Sequence, residues 1–148
     1  MLSHMRPALV IAALAAVLLV SGCGGDSAPS GTPSVRGVVT EIQESGDGGS
    51  LRVVWAEHPA VGAQAEFDAA QVTVTEETEI RQRPQGSRQA TPITFGEIMQ
   101  GDIVWVWFTD GPVLESYPVQ AGAQWIEVRG RYQGELPTPP GLEAPTQP

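Results

Sequence analysis

The chain has no lysine and only one cysteine, Cys23. A lone cysteine excludes an internal disulfide, and a reactive thiol would want a basic neighbour that the surrounding LLVSGCGG stretch, Leu18 to Gly25, lacks. Histidine is nearly as scarce, with two in 148 residues, and His58 in EHPAVG has no second ligand at metal spacing. The ESGDGGS segment lacks the carboxylate spacing of a calcium loop. With no histidine partner for any serine, the residues assign no catalytic group, no metal and no cofactor, and the expectation is a non-enzyme. Carboxylate pairs stay open, because 17 acidic residues will include spatial neighbours. Basic residues are few as well, all of them arginine, and the formal charge of −9 leaves little positive surface. Nucleic acid is therefore not an expected partner, since binding it depends on neutralising phosphates.

Long hydrophobic runs are missing too. The one unbroken apolar stretch, PALVIAALAAVLLV from Pro7 to Val20, is shorter than the roughly 20 residues a spanning helix needs and has the length of a signal-peptide core. Val20-Ser21-Gly22-Cys23 resembles the lipobox of bacterial lipoproteins, in which an aliphatic and two small residues precede an obligatory cysteine. The resemblance implies a lipoprotein signal peptide over 1–22, cleavage between Gly22 and Cys23, and a diacylglycerol thioether on Cys23 that holds the chain outside the cytoplasm on the bacterial cell membrane. An ordinary secretory signal with an incidental Cys23 is the alternative. Arg6 is the only one of the eight arginines before the cleavage point and all 17 acids follow it, so the processed chain carries −10. Such a surface disfavours adsorption to anionic lipid, which leaves the anchoring to the lipid itself.

Residues 23–34 then read as the lipidated cysteine and a flexible linker, GGDSAPSGTPS, and 134–148 as a disordered proline-rich tail. Between them, 35–133 alternates strand-like runs with turns. VRGVVTEI breaks its period at Gly37, Val39 and Ile42, which predicts a bulged, bent strand. LRVVWAE puts Leu51, Val53 and Trp55 on one face, and AAQVTVTEETEI puts Ala70, Val72 and Val74 opposite Gln71, Thr73 and Thr75. RQRPQGSRQATP is a loop, and TFGEIMQGD predicts a short helix, with Thr94 and Glu97 at capping-box spacing and Phe95 and Ile98 on its apolar side. IVWVWF, an Asp110-Gly111 turn, the returning PVLESYPVQ, and QWIEVRGRY complete the set. This order predicts an all-β, OB-like five-stranded barrel with one short helix between its third and fourth strands; an open antiparallel sandwich is the alternative.

GVVTEI, VTVTEETEI, TFGEIMQGDIVWVWF and, most specifically, ESYPVQA (Glu115 to Ala121) resemble the YobA-like domain of unknown function found in bacterial lipoproteins. That resemblance implies a barrel-like domain anchored outside the cytoplasm and no particular activity. The loop Ala56 to Asp68 and the proline tail depart from the pattern.

The candidate binding surface is Trp105, Trp107, Glu115, Tyr117 and Trp125. Tyr117 would be a stacking platform and Glu115 an acceptor; equally, Tyr117 covers the barrel rim with its hydroxyl capping a backbone group. Trp105 and Trp107 share a strand face with Ile103, so both faces of that strand are apolar and one is either covered by the chain's own loops or exposed to a partner. Arg81, Arg83 and Arg88 form either an anion site or counter-charges to Glu76, Glu77 and Glu79. The expected function is a non-enzymatic module that binds an envelope protein or glycan. A purely structural envelope domain is the alternative, and a carboxylate-based hydrolase a third.

Overall fold

The structure is a computed structural model that describes residues 27–138. The predicted signal peptide, Cys23 and residues 139–148 of the tail lie outside the described residues. Among the described residues there are seven strands: β1 (Val35–Ser45), β2 (Gly48–Val54), β3 (Ala69–Val74), β4 (Glu79–Gln82), β5 (Thr91–Pro92), β6 (Asp102–Phe108) and β7 (Val119–Arg131). Their order is β3-β2-β1-β6-β7, and a parallel β3–β7 pairing returns to the start, so these five strands close a barrel with β4 and β5 added beside β7. The predicted OB-like barrel is therefore the observed architecture.

β1 holds the barrel together because it pairs on both sides. Its first part pairs with β6 (Val35↔Val106 to Val38↔Ile103) and the rest, from Val38 to Ser45, with β2. The predicted bulge falls between Val39 and Glu41. It lets the strand bend sharply enough to serve two neighbours. Gly37 sits at that corner, where an added Cβ would come within 2.3 Å of the Val54 carbonyl oxygen. No side chain fits there. The β1–β2 hairpin turns through Gly46 and Asp47 between paired Ser45 and Gly48, with Gly46 at φ 61°, as a tight primed turn requires.

The interior is mostly valine: Val35, Val39, Val53, Val72, Val104, Val106 and Val128 pack with Leu51, Ala70 and Ile126. β-Branched side chains are stiff and suit a pleated inner surface, which is why these runs form strands. Phe95 and Ile98 join this core from the β5–β6 connection and close one barrel end. The predicted helix there is only a single 3-10 turn, Phe95–Glu97. The Glu97 carboxylate does accept from the Thr94 N–H (2.6 Å) and hydroxyl (3.1 Å). Gly96 follows at once, and Ile98 is already extended (φ −74°, ψ 133°), so the capping signal starts a turn that the sequence cannot propagate.

Three further expectations are corrected. AAQVTVTEETEI is two strands, because the Thr75 N–H donates to the Thr78 hydroxyl (3.0 Å), which itself donates to the Ala123 carbonyl (2.8 Å), and the chain turns there. PVLESYPVQ is a loop with one bridge, Leu114↔Gln120, rather than a strand up to Val119. Trp55 does not share the inward face of Leu51 and Val53. It lies past the end of β2 and packs on a second cluster, Val38, Ala56, Val61 and Ile103, beneath the β2–β3 connection.

Candidate functional site

Two outer faces of the barrel carry the candidate side chains. On the β6–β7 face, cross-strand register aligns Arg36, Trp105, Glu127 and Arg81, with Trp107 and Trp125 paired in the next row. The Arg36 and Arg129 guanidiniums lie 4.5 and 4.2 Å from the centre of the Trp105 ring. Glu127 is only 2% exposed; its Oε1 accepts from Arg83 Nε at 2.9 Å and from Arg129 Nη1. Two arginines of the loop cluster are counter-charged, one by an acid the sequence reading expected, Glu79, and one by Glu127, which it did not expect. Arg83 pairs with Glu127 and Arg81 with Glu79 (3.5 Å).

The tryptophans of this face are covered by the chain itself. Trp105 Nε1 donates to the Val61 carbonyl (3.0 Å) and Trp55 Nε1 to that of Gly62 (3.4 Å), both in the β2–β3 connection. Trp107 Nε1 donates to the Gly31 carbonyl (3.3 Å), at the chain's N-terminal side. Trp107 and Trp125 are 8% and 5% exposed, and Trp105 is half-buried. Trp107 and Trp125 are therefore not open platforms. Residues 27–34, expected to be a free linker, form a strap on this face. Ser34 N donates to the Val106 carbonyl (2.8 Å), the Phe108 N–H to Ser34 Oγ (3.1 Å), and Pro33 is buried.

The other face, on β1, β2 and β3, is open and polar. Alternation that sends Leu51, Val53, Ala70 and Val72 inward sends Ser50, Arg52, Gln71 and Thr73 outward. Register arranges them in two rows: Gln43, Ser50 and Thr73 in one, and Glu41, Arg52, Gln71 and Gln120 in the other. Gln71 Nε2 donates to Ser50 Oγ (3.0 Å), and Arg52 Nη1 is 2.7 Å from Glu41, whose other oxygen accepts from Gln43 Nε2 (2.7 Å). The β6–β7 loop forms a wall: Gln120 Nε2 donates to Ser116 Oγ (3.3 Å), and Ser116 Oγ to the Pro118 carbonyl (2.9 Å). The outward residues of β2 and β3, with Gln43, Gln120 and the Ser116–Pro118 wall, line an open groove of about 460 Å³.

Tyr117, 50% exposed, presents its ring to this groove, and the peptide bond to Pro118 is cis. Its phenol is held above the usual tyrosine range, first by burial and then by the Asp68 carboxylate beside the hydroxyl. The hydroxyl thus meets a carboxylate rather than the backbone group expected of it. Glu115 does not join the groove. It lines a separate cavity with Glu66, Phe67, Phe108, Asp110 and Val113, so the ESYP segment is a ridge between two hollows.

The five residues singled out from sequence thus fall in three places, and only Tyr117 reaches the open groove. Its other lining residues had one sequence signal, their positions between core residues on the outward face. His58 is structural: Nδ1 accepts from the Ala60 N–H (3.1 Å), and its ring meets Tyr132 edge-on. Among the described residues no group of three or more His, Cys, Asp or Glu is placed to hold a metal ion. No family model, curated protein or solved structure matches this chain.

Proposed function

We propose that this protein is a lipid-anchored, extracytoplasmic binding module whose β1–β2–β3 groove holds a hydroxyl-rich glycan of the cell envelope. The groove itself carries this reading. Its lining consists of amides and hydroxyls that both donate and accept, one arginine paired with Glu41, and a tyrosine ring as side wall. Such a lining exchanges hydrogen bonds with a polyol at little cost and offers no deep apolar pocket to a greasy ligand. In OB-type barrels the outer face of the second and third strands, flanked by the first-second and fourth-fifth loops, is where oligosaccharides and oligonucleotides bind. The charge of −9 favours the former. The lipobox resemblance at Cys23 supports the anchor, and the YobA-like motifs support the same location.

Titrating the protein with soluble muramidase fragments of peptidoglycan, followed by calorimetry, tests the reading. Tyr117→Ala should weaken binding about three- to tenfold, the worth of one aromatic contact. Trp107→Phe should leave it unchanged. Equal affinity of Tyr117→Ala and the parent would remove the groove from the account. A second reading, an accessory domain without a ligand, draws on the indoles of Trp55, Trp105 and Trp107, all committed to the chain's own carbonyls.

A further inference from the structure

The strap changes how the barrel is tethered. Residues 23–34 were expected to be a flexible linker, yet from Gly31 onward the strap is bonded to β6 and passes back toward the β4–β5 loop, where Ser27 lines one cavity with Arg83, Arg88, Gln89 and Thr91. Cys23 is four residues before Ser27. A chain of that length spans at most about 14 Å, at up to ~3.6 Å per residue. A lipid on Cys23 therefore brings the bilayer surface to the β4–β5 loop, within little more than the ~10 Å over which charges are felt at ordinary salt.

The charge on this side differs from that of the chain as a whole. Arg36, Arg81, Arg83, Arg88 and Arg129 all lie on β1, β4, β7 or the β4–β5 loop around the strap. Several of them are committed, Arg83 and Arg129 to Glu127 and Arg36 to the Trp105 ring. Arg88 is exposed, and among the described residues its guanidinium has no ion pair or hydrogen bond. The acids of the β1–β2 hairpin, Glu41, Glu44 and Asp47, lie in the half of β1 that pairs with β2 and not with β6, and in the turn after it.

We infer that the β4–β5 loop, through Arg88 and the strap that ends beside it, is a membrane-facing surface that rests on anionic lipid headgroups and turns the β1–β2–β3 groove away from the bilayer. This rests on the lipid-anchor reading of Cys23. The overall negative charge opposes adsorption in any other orientation, so the loop supplies orientation while the lipid supplies attachment. β2, at the centre of the groove, pairs with neither β6 nor β7, so the groove's floor lies on strands other than β6, to which the strap is bonded. The groove would then face outward into the envelope.

The test uses the full chain, expressed with its own signal, recovered from membranes and reconstituted into vesicles of phosphatidylcholine with phosphatidylglycerol and a headgroup-nitroxide lipid. A thiol-reactive dye is placed at Gln89→Cys in the loop or at Thr73→Cys in the groove. The inference predicts strong quenching at position 89 and little at position 73. Adding Arg88→Ala should lower the membrane-facing population about fivefold, the worth of one arginine near an anionic surface, and should have no effect on vesicles of phosphatidylcholine alone. Equal quenching at the two positions, or stronger quenching at 73, overturns the orientation. An Arg88→Ala variant that behaves as its parent on anionic vesicles overturns the role of Arg88. The chain without an added cysteine distinguishes the two readings: if Cys23 carries the lipid it takes up no dye, whereas labelling there overturns the anchor and this inference with it.

Discussion

Removing the Glu127 carboxylate should unseat two arginines at once. The side chain is 2% exposed and bonded to both Arg83 and Arg129. Breaking a buried ion pair from one side costs about 3–5 kcal/mol, because it leaves an uncompensated charge out of water. Here the arginine side chains are 19% and 24% exposed, so solvent takes up part of that charge and the lower end applies. Glu127→Ala should therefore destabilise the barrel by about 3 kcal/mol, equivalent to a fall in Tm of about 12 °C at roughly 4 °C per kcal/mol for a domain of this size. Urea unfolding at neutral pH measures it directly. A double-mutant cycle of Glu127→Gln with Arg83→Gln should give a coupling of about 1 kcal/mol or more in the same assay. A loss below about 1 kcal/mol for Glu127→Ala, or a coupling near zero, would refute the view that this carboxylate holds the arginine-tryptophan face together.

Gly37→Ala should cost about 3 kcal/mol or more, since its methyl would sit 2.3 Å from the Val54 carbonyl in backbone that closes the barrel; a change within 0.5 kcal/mol of zero in chemical denaturation would contradict that close approach. Of the two tyrosines, Tyr117 should ionise above the ordinary range in an ultraviolet titration, and Asp68→Asn should lower it only in part, because burial is the larger cause. Because the folded state keeps that proton longer, this contribution to stability is complete below about pH 10 and is lost as pH rises through the folded-state pKa, so Tyr117→Phe should flatten the alkaline limb of a stability-pH curve. Acrylamide should quench Trp107 poorly in the parent. Deleting 27–33, which removes the Gly31 carbonyl and the buried Pro33, should red-shift its emission and raise its quenching.

The strands were legible in the sequence where one face is core and the other solvent. Leu51 and Val53, Ala70 to Val74, and the two-sided Ile103 to Phe108 run all carry their period openly. Closure was not, because the β3–β7 pairing joins Ala70–Thr73 to Val119–Gly122, and no local pattern encodes a parallel contact across that separation. The break between β3 and β4 was hidden for a different reason: Thr75 and Thr78 continue a strand-like alternation while their hydroxyls make a turn. The strap was misread because Gly, Ser and Pro are the composition of coil, while the carbonyl of Gly31 and the backbone and hydroxyl of Ser34 fasten it. As for the site, sequence located Tyr117 through its motif but left open whether the tryptophans are covered or exposed. Their covering depends on loop carbonyls that side-chain patterns do not reveal. The groove's polar residues were visible as the outward face of two strands, and nothing in their spacing distinguished a site from an ordinary solvated surface.

The most direct test of the account is an amide chemical-shift map of the isotope-labelled protein titrated with muramidase fragments of peptidoglycan. The account predicts saturable shifts at Gln43, Ser50, Arg52, Gln71, Thr73 and Ser116 to Gln120, with Trp107 and its neighbours on β6 unmoved. Absence of shifts at saturating fragment, or shifts centred on β6 instead, would contradict it.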